Sequence, residues 1–221
     1  MARLTDITLY DEFHPAEGQR QFQHRANYVS ELYWQCLHGY KPAKTTRICI
    51  TMVPDQQPPY PLMAGSVACI SQVVHTPTYD ALPDSSKLRY LLDGLHQAVG
   101  HLCQTFRWDG AVFADTYQRV LDRNLTFQFV YPERVSRNGK TRAHLLLEKT
   151  LTTSRLFACV QDEGKQVQAL LREGPNRWWH DPVYHLVKRG KWFNNAQFGV
   201  HTTRPYFRAW YSLLLGTVDT E

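Results

Sequence analysis

The sequence predicts an α+β protein. Apolar residues recur at helical spacing through much of the first half, whereas short alternating runs joined by tight turns dominate the second. The strongest hairpin signal, Asn138-Gly139, stands in the middle of those alternating runs. We expect one continuous domain over residues 1–221, with an antiparallel C-terminal meander packed with amphipathic helices; the alternative is a sub-division at 1–108 and 109–221.

Taken in order, Arg3 to Tyr10 alternates imperfectly through Leu4, Ile7 and Leu9 and predicts a short strand. His14-Pro15 opens a helix to about Leu37, with Phe22, Ala26, Val29, Tyr33, Cys36 and Leu37 on one face. Arg47 to Val53 places Ile48, Ile50 and Met52 on one side of a strand, and Val67 to Val74 returns to strand after the proline-rich loop Pro54–Pro61. The longest stripe runs from Asp84 to Phe106 through Leu88, Leu91, Leu92, Leu95, Val99 and Leu102, with Asp84 or Ser85 as cap. Gly94 and Gly100 weaken that helix, and close packing against a neighbour would explain them. A further helix is expected from about Gly110 to Arg123.

The meander follows. Leu125, Phe127, Phe129 and Tyr131 alternate, then Asn138-Gly139 suggests a type I′ turn into a strand from Thr141 to Leu151. Leu156–Gln161 and Lys165–Leu171 flank a turn at Asp162-Glu163-Gly164. Asp181-Pro182 starts a short helix that Gly190 would end. Pro205 to Leu215 fits strand and helix equally.

Composition narrows the function. Forty-three per cent apolar and 20% charged residues describe an ordinary globular chain. The first 25 residues carry acids from Asp6 onward, and no run of about 18 apolar residues exists, so a secretory signal and a membrane span are not expected and a cytoplasmic location is. The five cysteines are odd in number, widely spaced and without a Cys-x-x-Cys pair, which points to buried free thiols. No cofactor or metal site is expected. The nucleotide-binding, nucleophile-elbow and His-Glu-x-x-His motifs are missing. Gly139-Lys140-Thr141 mimics the end of a phosphate loop, but Arg134 stands where its first glycine belongs. His96 and His101 are five apart and do not share a helix face, so neither is a metal pair.

Arg177 to Tyr211 is the informative segment. Its 35 residues hold 10 of the 28 aromatics and six of the cations (Arg177, Lys188, Arg189, Lys191, Arg204, Arg208) against Asp181 alone, so the whole net charge of +5 resides there. Rings interleaved with fixed cations suit an anionic partner, the rings stacking and the cations neutralising. The expected binding residues are therefore those six cations with Trp178, Trp179 and Trp192, and the basic hairpin residues Arg137, Lys140 and Arg142 as auxiliaries beside Arg134.

The function these residues point to is non-enzymatic macromolecule binding, with an acidic protein or a nucleic acid as partner. A small α+β chain with free thiols, many aromatics and no catalytic motif resembles immunity or antitoxin-type inhibitors of bacterial effectors in style, without a shared motif. The alternative is a metal-independent histidine-based nuclease or hydrolase. In that reading His180, His185 and His201 supply the acid and base, and Lys191 steadies the phosphorane.

Overall fold

Three β-branched-rich runs form a parallel core in the first half of the chain. In the computed structural model, which describes residues 4–12, 14, 16–37, 39–54, 59–162, 164–203 and 206–220, strands β1 (Asp6–Asp11), β2 (Arg47–Val53) and β4 (Val67–Val73) pair in parallel. The short β3 (Leu62–Ala64) adds antiparallel to β4, giving the order β1-β2-β4-β3. Register places Ile7 beside Ile48 and Ile48 beside Ala68, and likewise Leu9, Ile50 and Ile70. These six are buried and define the covered face, because strand side chains alternate with a period of two.

Helix α1 (Ala16–Cys36) packs on β1, α3 (Asp84–Phe106) packs on β4, and α4 (Gly110–Asp122) packs against both helices. A short α2 (Thr76–Ala81) precedes α3; in the first unit it and β3 were not indicated by periodicity, being too short to show a period. Neither Asp84 nor Ser85 caps α3. Pro83 occupies the N-cap, and the Asp84 carboxylate instead accepts from Arg25 at 2.7 Å. Gly94 lies at ordinary contact distance from Met52 and Gln72, consistent with packing on the sheet, whereas Gly100 faces open space, so packing does not explain it. His96 flanks the stripe: its Nδ1 lies 3.2 Å from the Tyr33 hydroxyl, and its ring stacks on Tyr117 at 4.3 Å.

The chain divides into two compact units, 1–126 and 127–221. The division falls after α4 because that helix completes the core of the first unit through Phe113 and Val120.

The second unit is built from two antiparallel sheets. The first orders β5 (Phe127–Val130), β7 (Arg142–Lys149), β8 (Thr153–Asp162) and β9 (Lys165–Pro175), with β6 (Arg134–Val135) also on β7. The second orders β10 (Gly190–Asn194), β11 (Gln197–Thr203), β12 (Tyr206–Ser212) and β13 (Thr217–Thr220). β9 packs against β12 and β13, and β8 against β11, enclosing Leu145, Leu156, Phe198, Val200 and Ala209. The ambiguous last segment is thus a strand, held on both sides by β11 and β13. The α+β class stands, with 34% helix and 40% strand.

One sequence reading of a turn changes. Asn138 does not have positive φ; only Gly139 does, at 75°, and the Gly139 N–H donates to the Ser136 carbonyl at 3.0 Å. The hairpin is therefore not type I′ but a turn followed by a left-handed glycine. Gly190 does end the helical segment, capping the 3₁₀ turn at Val187–Arg189, and it also begins β10, where an added Cβ would lie 2.7 Å from Leu145 Cδ1. Of the Asp162–Gly164 turn, Glu163 lies outside the described residues, as do residues 55–58 of the proline loop and Arg204-Pro205. No helix among the described residues is long and apolar enough to cross a membrane.

Candidate functional site

The segment between the two sheets of the second unit decides where the basic tail goes. Asn176 anchors its start, donating from Nδ2 to the Thr150 carbonyl at 2.9 Å and accepting the Trp178 N–H at 2.9 Å. Lys149, whose side chain is fully buried, reaches Asp181 Oδ2 at 3.5 Å and donates to Asn176 Oδ1 and the Trp178 carbonyl. Its ammonium also sits 4.5 Å from the Tyr184 ring centre. Asp181 in turn accepts the Val183 N–H at 3.0 Å, the capping role expected of it. Helix α5 (Val183–Leu186) and a 3₁₀ turn at Val187–Arg189 then bury Val183, Leu186 and Val187 and leave His185, Lys188 and Arg189 exposed.

Those exposed side chains meet the second sheet. His185, Lys188, Arg189, Lys191, His201, Thr202 and Thr203 line one open cleft of about 400 Å³. The pairing of β10 with β11 makes this possible: Gly190 lies opposite Val200 and Lys191 opposite Gly199, so His201 and Lys191 emerge on the same side of the sheet. The close approach depends on Gly199, where an added Cβ would lie 2.0 Å from the Ala209 carbonyl oxygen. His201 is half-buried, and Tyr206 packs edge-on against it at 6.0 Å.

No acidic side chain is among the described residues lining the cleft. The one acid of the tail, Asp181, is buried against Lys149 instead. The cleft therefore concentrates positive charge, with two imidazoles and two hydroxyls as hydrogen-bonding groups.

A cation–aromatic face continues from it along the sheet. Lys191 Nζ lies 5.2 Å from the Phe193 ring centre, and the Arg208 guanidinium lies 5.3 Å from Phe193 and 4.6 Å from Trp210. Arg208 stands directly opposite His201 in the β11–β12 register. Tyr206 is 59% exposed at the end of this face.

The basic hairpin adjoins β10 through Trp192 on its core-side face and through the β10–β11 turn. The Trp192 Nε1–H donates to the Arg134 carbonyl at 3.0 Å, and the Asn138 N–H donates to Asn195 Oδ1 at 3.1 Å. Arg137 and Lys140 are exposed, while Arg142 pairs with Glu133 at 2.9 Å. These contacts tie the 134–142 hairpin to the turn that links β10 and β11.

Of the residues singled out in the sequence, the cleft gathers Lys188, Arg189, Lys191, His185 and His201. His180 and Arg177 are exposed but do not line it; Arg177 borders a smaller hollow with Arg172 and Asp181. Trp178 and Trp179 are half-buried in a 3₁₀ turn. Trp192 packs on Phe198 at 5.3 Å, so it anchors β10 from the core side. Arg204 lies outside the described residues. Sequence reasoning missed Thr202, Thr203 and the Arg208–Phe193–Trp210 stack; the His201-Thr202-Thr203 run of hydrogen-bonding side chains was the available signal.

The cysteines take no part in this site. Burial pushes the thiols of Cys36 and Cys159 up, that of Cys103 to about 11, and that of Cys69 up with help from Cys49 opposite it. Such thiols stay protonated near neutrality and make poor nucleophiles. In the first unit, His14 bridges Asp11 and Asp80 at 3.1 Å each and ties the end of β1 to α2, a link between distant residues that no local pattern signals.

Comparison of the chain with protein-family models, with curated proteins and with solved structures finds no match.

Proposed function

We propose that the second unit binds a nucleic-acid strand, with phosphates seated in the His185–Thr203 cleft and the chain continuing along β10 toward the 134–142 hairpin. The observation that supports this reading is the convergence of Lys188, Arg189 and Lys191 with two histidines and two threonine hydroxyls around one carboxylate-free cleft. Phosphate oxygens accept from all of these groups, and fixed cations that replace condensed counterions make the binding salt-dependent. Three residues, Trp192 to Asn194, separate the cleft residue Lys191 from Asn195 at the hairpin, roughly 13 Å of extended strand, a span that a few nucleotides would cover. An acidic protein would be held by the same cations, but with a shallower dependence on salt than a phosphate backbone gives.

The test is a titration of the full chain with a fluorescent single-stranded RNA and its DNA counterpart at several salt concentrations. Three phosphate contacts predict a slope of log K against log salt of about −2, steeper if Arg137 and Lys140 engage. Replacing Lys188, Arg189 and Lys191 by Ala should flatten the slope by about 2, while removing the exposed Lys41, Lys44 and Arg107 of the first unit should leave it unchanged. Absence of binding, or binding indifferent to salt, would reject the reading. Tight salt-insensitive capture of an acidic protein would replace it.

A further inference from the structure

Resting on that reading, we infer that the cleft is also a catalytic site: it cleaves single-stranded RNA without a metal ion, using His185 and His201 as the acid–base pair. Imidazole is the side chain that both takes and gives a proton near neutral pH, and two of them with three fixed cations supply the parts that phosphodiester transfer needs. A roughly spherical space of the cleft's 400 Å³ is about 9 Å across, so a phosphate at its centre lies within reach of side chains on every wall.

The two histidines are held differently. His201 projects from a strand paired on both sides and is braced edge-on by Tyr206, whereas His185 sits on the last turn of α5 and is exposed. Both elements are fixed by burial beneath them, Leu186 and Val187 on one side and Val200 on the other. The pair is therefore mounted on packed scaffold at both ends, as a preorganised site requires.

The donor set selects the substrate. Hard divalent cations need oxygen ligands, and no described carboxylate lines the cleft; among the described residues no cluster of three or more His, Cys, Asp or Glu could hold a metal. The lining thus offers no means to activate water through a metal. RNA carries its own nucleophile in the 2′-hydroxyl. One histidine removes the 2′-OH proton as the 2′-oxygen attacks the adjacent phosphorus. The phosphorus–5′-oxygen bond breaks, and the other histidine protonates the departing 5′-oxygen. The products are a 2′,3′-cyclic phosphate and a 5′-hydroxyl, with no other reactant consumed. Lys191, which emerges beside His201, together with Lys188 and Arg189, neutralises the charge that builds on the non-bridging oxygens.

The experiment incubates the full chain with end-labelled single-stranded RNA, and separately with DNA of the same sequence, in buffer containing EDTA; bound fraction is measured alongside. The expected result is cleavage of RNA only, ending in 2′,3′-cyclic phosphate, with a rate that falls on both sides of a pH maximum. At saturating RNA, His185→Ala and His201→Gln should each lower the rate by about 10²-fold or more, with the melting temperature unchanged. His180→Ala, outside the cleft, should cleave normally. Binding without cleavage, cleavage untouched by either variant, equal cleavage of DNA, or loss of activity in EDTA each overturns the catalytic inference while leaving the binding reading intact. Failure to bind either strand overturns both.

Discussion

The two units of this chain handle charge in opposite ways. Residues 1–126 carry eleven Lys and Arg against twelve Asp and Glu, whereas residues 127–221 carry fourteen against eight. In the first unit the charges nearly cancel and several are paired within the fold: Arg25 with Asp84, Arg47 with Asp6, Arg89 with Asp93, and His14 between Asp11 and Asp80. In the second, Arg137, Lys140, Lys188, Arg189 and Lys191 form no ion pair among the described residues. The tail's single acid is spent inside, on Lys149. The first unit is thus close to neutral, while the second carries an uncompensated cationic cleft whose field favours anions.

The buried Lys149–Asp181 pair sustains that asymmetry, so breaking it is the severest way to test the comparison. Lys149→Ala leaves the Asp181 carboxylate buried beside an empty site, and should cost the second unit about 3–5 kcal/mol, read as a lower urea midpoint. Adding Asp181→Asn should return a large part of that loss, because the uncompensated charge is gone. A single variant as stable as the wild type would show that the pair does not fasten the 176–189 segment.

A smaller effect is expected at Gly199. Its added methyl group would meet the Ala209 carbonyl oxygen and Trp210 Cα, both backbone atoms that cannot swing aside. Gly199→Ala should destabilise by roughly 1–3 kcal/mol and weaken RNA binding with it, since β10, β11 and β12 must part. The matching change in the first unit, Gly100→Ala, meets open space and serves as the control in the same melt.

The mildest prediction sharpens the comparison from the first unit, where burial acts on an imidazole. Burial lowers the affinity of His96 for a proton below the ordinary value of 6.5, with Asp93 partly opposing. The unfolded chain then binds the proton more readily, so stability is fully present above about 6.5 and falls as pH drops from there toward the folded value. Urea midpoints measured from pH 7.5 to 5 should decline, and His96→Gln should flatten the decline. An unchanged slope would assign the loss to other groups, such as His24, whose proton affinity burial and then Arg20 and Arg25 also lower.

Much of the fold was legible because its elements are governed by local spacing. The strand Arg47–Val53 and the helix Asp84–Phe106 have the limits their apolar periods indicate. Periodicity failed where elements were short, as at Leu62–Ala64, or where two periods fitted, as in the segment now seen as Tyr206–Ser212. It also could not show that the first sheet is parallel, because parallel partners lie far apart in the chain. For the candidate cleft, residue types pointed to the segment that lines it but could not show which members share it. His180 and His185 are five positions apart and look equivalent in sequence, yet only His185 turns toward the cleft.

By itself, then, the sequence determined the local elements, the free thiols and the concentration of charge in the tail, since each follows from neighbouring residues or from composition. Tertiary structure alone decided that Asp181 is withdrawn into the core, that the 134–142 hairpin adjoins the β10–β11 turn, and that His185 and His201 share a cleft. Those outcomes rest on strand register, on the close contacts of Gly190 and Gly199, and on a buried ion pair, all made between residues that the chain keeps apart.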